Sequence, residues 1–180
     1  MAKTQFVAFL RAINVGGRIV KMAELRKVFE SLRLDDVSTL IASGNVIFTA
    51  SGAPAALEKE IEAGLQRALK YPVTSMVRTL SEIAAVVAHR PFSAAASDGA
   101  SLYVGFMKTA TTPTAVKKTL AMQTEVDELR VHGREVYWLA RQNISEATIT
   151  MAGVEKALQT PVTFRNINTV RRLAAKYCAG

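Results

Sequence analysis

Val37-Ser38-Thr39-Leu40-Ile41-Ala42-Ser43-Gly44-Asn45-Val46-Ile47-Phe48-Thr49 reads as two β-rich runs on either side of a Ser-Gly dipeptide. A dipeptide of that kind between strand-forming runs signals a tight hairpin. The arrangement returns in the second half, where Glu125 to Val131 and Arg134 to Ala140 flank His132-Gly133. Ser43-Gly44-Asn45-Val46-Ile47-Phe48 and His132-Gly133-Arg134-Glu135-Val136-Tyr137 resemble each other. Two matching hairpins in 180 residues point to a duplication, and their flanks decide of what.

Upstream of the first hairpin, Gln5 to Ile13 is apolar on both parities and predicts a strand buried on both faces. After a glycine loop, Met22, Leu25, Val28, Phe29 and Leu32 recur at helical spacing. Downstream, Pro54 to Lys70 is a second helix that Tyr71-Pro72 stops, and Val73 to Arg78 is a strand. The order is β-α-β-β-α-β. Thr79-Leu80-Ser81-Glu82 has capping-box spacing and opens a connecting helix that Pro91 ends. Ser93 to Ala100 is small, polar and without period, the composition of a linker.

The second hairpin has the same flanks. Ser101 to Lys108 predicts a strand, and Thr112-Pro113 a capped helix. Ser145 is expected to cap a helix running to about Gln159. Pro161 to Phe164 follows as a short strand, and a last helix opens at Asn168 or Thr169. The fold class is therefore α+β: duplicated ferredoxin-like βαββαβ units, with antiparallel sheets and helices packed on one face. The expected organisation is a first lobe at 1–78, a connecting helix and linker at 79–100, and a second lobe with a C-terminal helix at 101–180.

Composition narrows the function classes. No apolar run approaches the roughly 18 residues of a membrane span, and the opening residues carry no signal-peptide pattern. A single cysteine, Cys178, cannot form an intramolecular disulfide, which fits a reducing cytoplasm. The net charge of +8 is spread evenly over the two halves, with no basic tail. Such an excess attracts anions, phosphates or nucleic acid among them, without selecting one.

The topology converts into a placement. In a split βαβ unit the first and second strands run parallel through a right-handed crossover. The loop leaving the first strand and the hairpin between the second and third then share one end of the sheet. Arg11, Asn14, Gly16, Gly17 and Lys21 are thus expected beside Ser43, Gly44 and Asn45, with Arg18 adding charge. Consecutive glycines ahead of a helix serve either as a turn needing positive φ or as a backbone nest for an anion. Lys21 at a helix start opposes the dipole, so helix stability alone does not account for it. The spacing matches neither the Walker nor the dinucleotide fingerprint. A second polar cluster holds Arg165, Asn166, Asn168 and Thr169, with Arg171 and Arg172 beyond. Its asparagines and Thr169 are good N-caps, and its arginines are candidate anion contacts.

No Cys/His/Asp/Glu cluster has metal-ligand spacing and no nucleophile elbow is present, so no cofactor or metal is expected. His89 and His132 read as surface residues, and Tyr103, Phe106, Tyr137 and Trp138 as core or inter-lobe packing. The third-strand segment lacks the aromatic string of an RNA-recognition motif. Three functions follow in order: a binding module for an anion or nucleotide-like ligand, a nucleic-acid-associated protein, and a metal-independent enzyme on a phosphorylated substrate.

Phe6 to Lys21, Ile41 to Phe48 and Thr163 to Val170 together resemble an uncharacterised bacterial family, domain of unknown function 1697. That resemblance implies a small cytoplasmic α+β protein with a duplicated ferredoxin-like arrangement, and carries no activity with it. Ala12 stands where the family usually has a further glycine, and Ala42 where it usually has glutamine. A serine-lysine pair typical of the family is missing around Ala147-Thr148-Ile149.

Overall fold

The computed structural model describes residues 3–14, 17, 19–40 and 44–178, the side chains of 95 and 96 excepted. It divides into two compact units, Met1–Ala84 with Tyr177–Gly180, and Ala85–Lys176. The fold is α+β with two antiparallel four-stranded sheets.

The first unit runs β1 (Thr4–Arg11), α1 (Met22–Ser31), β2 (Asp35–Thr39), β3 (Asn45–Ala50), α2 (Pro54–Leu69), β4 (Thr74–Thr79), and then α3 (Leu80–Ala88), which crosses into the second unit. Its strand order is β2-β3-β1-β4. Phe6, Ala8 and Leu10 of β1 join Leu25 and Phe29 of α1 and Ile61 and Leu65 of α2 in one core. Phe48 anchors it, stacking on Phe6 and meeting Phe29 edge-on, each pair at 5.7 Å. Val7, Phe9 and Ile47, on the opposite parity, are also fully buried. β2 begins two residues earlier than its hydrophobic run, because Asp36 adopts a positive φ of 50° and the pairing with β3 shifts register between Asp35 and Ser38.

The second unit continues with α4 (Ala94–Ser97), β5 (Ser101–Met107), α5 (Pro113–Leu120), β6 (Asp127–His132), β7 (Glu135–Ala140), α6 (Met151–Leu158), β8 (Val162–Asn166) and α7 (Ile167–Tyr177). Its order, β6-β7-β5-β8, repeats the first. Met107, Leu129, Val136, Trp138, Val154 and Leu158 centre its core.

The duplication extends to buried polar devices. On α2, Glu58 and Glu62 accept the backbone N–H groups of Val77 and Ser75 on edge strand β4, both at 2.8 Å. On α6, Glu155 accepts the N–H of Val162 on edge strand β8, also at 2.8 Å. Each helix thus satisfies donors that the edge strand would otherwise leave open. Arg78 on β4 pairs with Val7 of β1, and Arg165 on β8 pairs with Val104 of β5; both arginines are buried.

Local signals hold at most boundaries. Glu82 N–H meets Thr79 Oγ1 at 3.2 Å while Glu82 Oε2 accepts the Thr79 N–H at 2.8 Å, which is the capping box. Thr112 caps α5 through the N–H of Ala115. One helix boundary differs. The helix assigned from Ser145 starts at Met151, because Thr150 caps it through the N–H of Gly153, and only a 3-10 turn spans Ile144–Glu146. Ala147 is extended and Ile149 buried, so the β-branched run Thr148-Ile149-Thr150 serves as a connector. The 93–100 stretch, read as a linker, belongs to the second unit and contains α4. Phe92 just ahead of it is buried with the Arg130 guanidinium 5.3 Å over its ring, tying the segment to β6.

Candidate functional site

In the first unit the backbone joins the end of β1 to the start of β3. Leu10 N–H donates to Gly44 O at 2.8 Å, so the end of β1 and the start of β3 meet. Gly44 has φ 74°, and a Cβ there would stand 2.8 Å from Ile13 Cγ2. The asparagines have structural tasks. Asn14 Oδ1 accepts the N–H of Val20 at 2.8 Å and closes the loop; buried Asn45 donates from Nδ2 to Leu40 O at 3.0 Å and closes the hairpin. Tyr71 Oη donates to Ile13 O at 3.1 Å as a further brace. Arg11 is half-buried, Gly17 is exposed at φ 80°, and exposed Lys21 is the N-cap of α1 without a side-chain cap. Gly16, Arg18, Ala42 and Ser43 lie outside the described residues.

The second cluster divides. Arg165 is buried on β8, where its Nη1 donates to Thr163 Oγ1 at 2.9 Å and to Phe164 O at 2.8 Å. Burial pushes its pKa down to about 10. Asn166 and Asn168 instead line a cavity of about 660 Å³ in the second unit; Arg165 and Thr169 do not. Asn166 Oδ1 accepts the N–H of Asn168 at 2.9 Å, fixing the turn from β8 into α7. Asn168 Oδ1 accepts from Arg171 Nη1 at 3.2 Å, which steadies a guanidinium on the same wall.

Facing residues come from the segment between α3 and β5. Arg90 lines the cavity and donates from Nη1 to Val87 O at 2.6 Å, closing the end of α3. His89, Ser93, Ser97 and Ser101 add polar groups. Phe92, Leu102, Leu139 and Ile167 supply an apolar wall. Among the described residues that line this space there are two arginines and no carboxylate. It is therefore an electropositive pocket with an apolar flank, at the scale of small-molecule sites.

The chain matches the family model described as "Protein of unknown function (DUF1697)" over residues 3–137. It belongs to that family. A DUF1697 chain is also similar in fold to the conserved bacterial protein SP0830 from Streptococcus pneumoniae, at 22% identity and TM-score 0.70, over 97% of this chain and 98% of that one. No curated protein matches it.

Ala12 has φ 62°, a conformation that costs an L-residue about 1–2 kcal/mol. Ala12→Gly is expected to raise stability by roughly 0.5–1 kcal/mol, the relief less the entropy a glycine adds to the unfolded chain. Equilibrium urea unfolding checks this.

His89 was not visible as a site residue, because its partners lie more than 40 positions on. Its ring stacks on His132 at 4.5 Å and meets Tyr137 at 5.0 Å. Burial lowers its pKa below 6.5 and His132 adds to this, while Glu135 opposes it. The unfolded chain thus binds the proton more readily than the folded one. His89's contribution to stability is complete above pH 6.5 and is lost as pH falls through 6.5 toward the lowered folded value. Thermal unfolding from pH 7.5 to 5 is expected to show a steeper loss in wild type than in His89→Gln.

Among the described residues, no group of three or more His, Cys, Asp or Glu is placed to hold a metal, and no helix is long and apolar enough to cross a membrane. In the first sheet, Val7, Phe9, Val46, Ile47 and Phe48 are all buried, so these central positions offer no exposed stacking platform for RNA bases.

Proposed function

We propose that this DUF1697 protein is a cytoplasmic binding module for a small anionic ligand, held in the second-unit cavity by Arg171, Asn168, Asn166 and Arg90. One observation carries it: two arginines and two asparagines line a space of about 660 Å³ with no carboxylate among the described lining residues. Guanidinium groups bind oxyanions through paired charge-assisted hydrogen bonds. Asn166, its oxygen engaged by the N–H of Asn168, has Nδ2 hydrogens to donate. Thermal shift in the presence of inorganic phosphate and pyrophosphate tests the reading. Stabilisation by either in wild type, reduced roughly tenfold or more in apparent affinity by Arg171→Ala, is the expected result. No shift with either anion would overturn it.

A second location is the loop and hairpin of the first unit, favoured by Lys21 at the start of α1 without a side-chain cap. Orphan N–H groups of a helix start attract anions. Lys21→Ala distinguishes the two, since it should weaken anion binding only if the first-unit loop is the site.

A further inference from the structure

Resting on the anion-site reading above, we infer that the cavity's ligand is an organic phosphomonoester with a ring-bearing body, of the nucleoside monophosphate class, rather than a bare oxyanion or a nucleic-acid strand.

Size is the first ground. A cavity of about 660 Å³ lies in the range of sites that enclose whole small molecules, whereas a bare oxyanion would leave most of it to water. Such filling wastes the apolar wall, whose hydration a ligand body would relieve.

Division of the wall is the second ground. Asn166, Asn168 and Arg171 sit together at the β8–α7 junction, joined by the hydrogen bonds from Asn168 N–H to Asn166 and from Arg171 to Asn168. Pro91, Phe92 and Leu102 present carbon. Phe92 is 9% exposed under the Arg130 guanidinium, so that wall is pre-formed. A ligand matching both parts is anionic at one end and carries at the other a ring whose face meets carbon and whose polar edges meet His89, Ser93, Ser97 and Ser101.

Charge is the third ground. Two guanidinium groups balance one dianionic phosphate, whereas a strand engages a series of cations and stacking aromatics along a groove. Among the described lining residues Phe92 is the one aromatic carbocycle, and it is mostly buried.

Calorimetric titration of the full chain with inorganic phosphate, adenosine, adenosine monophosphate and a short single-stranded oligonucleotide tests the class. Two variants separate its parts. Arg171→Ala removes an anion contact, and Ala100→Trp, at a half-buried lining position, fills space meant for the body. The expected result is at least tenfold tighter binding of the monophosphate than of phosphate or adenosine. Arg171→Ala should weaken phosphate and monophosphate alike, and Ala100→Trp the monophosphate alone. Equal affinity for phosphate and monophosphate, both lost in Arg171→Ala and indifferent to Ala100→Trp, would overturn the ligand class and leave the anion site standing. Tighter binding of the oligonucleotide than of the monophosphate would overturn the class in favour of a strand. Binding of none of the four would overturn both.

Discussion

Gly105→Ala is expected to destabilise the protein by about 1–3 kcal/mol, the cost of overpacking a filled core, and to fall at the upper end of that range. A Cβ at Gly105 would stand 2.6 Å from Val136 Cγ1, 2.7 Å from Val162 Cγ1 and 2.8 Å from Phe164 Cε1. All three atoms belong to the packing of the second unit's core, so relief for one presses on another. The duplication supplies a control. Phe6-Val7-Ala8-Phe9-Leu10 aligns with Tyr103-Val104-Gly105-Phe106-Met107, and the equivalent position already carries alanine. Ala8 lies between Val46 and Val77, whereas Gly105 lies between Val136 and the larger Phe164. Ala8→Gly should therefore destabilise too, by roughly 1 kcal/mol, through entropy and lost burial. Thermal unfolding compares them: for a chain of this size each kcal/mol lowers Tm by about 2–4 °C. A Gly105→Ala midpoint within a degree of wild type would show that the core yields more than its packing indicates.

Asp127→Ala is expected to cost about 2–3 kcal/mol, and Asp127→Asn clearly less. Asp127 is fully buried, and its Oδ1 accepts the indole N–H of fully buried Trp138 at 2.8 Å. A hydrogen bond to a charged group contributes about 1.5–3 kcal/mol, and a buried donor stripped of its acceptor pays its desolvation as well. Asparagine keeps an oxygen where the indole needs one. Because Trp138 is the sole tryptophan, its fluorescence reports on the pair directly. Alanine should shift the emission and lower the urea midpoint together, and asparagine should restore most of both. Equal midpoints for the two variants would assign the stabilisation to packing around Trp138 and remove the hydrogen bond as its cause.

Much of this was legible before any coordinates. The capping box at Thr79–Glu82 and the Thr112-Pro113 start are local hydrogen-bond chemistry, complete within four residues, and both appear as read. Misread stretches have non-local causes. Ser145 looked like a cap, but burial of Ile149 extends the chain there and hands the cap to Thr150. Ser93 to Ala100 has linker composition, yet Phe92 under Arg130 and His89 on His132 draw its approach into the second unit.

The candidate site follows the same division. Crossover topology leads one to expect the loop after β1 beside the hairpin before β3; among the described residues, Leu10 N–H donates to Gly44 O where those two strands meet. It did not reveal that Asn14 and Asn45 hold the loop and hairpin closed, since a side chain's hydrogen-bond partner depends on ångström distances. The chain alone points to Asn166 and Asn168, and to Arg171 as a candidate anion contact, but not to Arg90 or His89 as site residues. Hydrophobic period, caps and the repeated hairpin determined the duplicated α+β fold, because each acts over a few residues and does not depend on the rest of the chain. The cavity was decided by tertiary structure alone, because it joins residues such as Arg90, Phe92 and Leu102 to Asn166, Asn168 and Arg171, which only the folding of β5 beside β8 brings together.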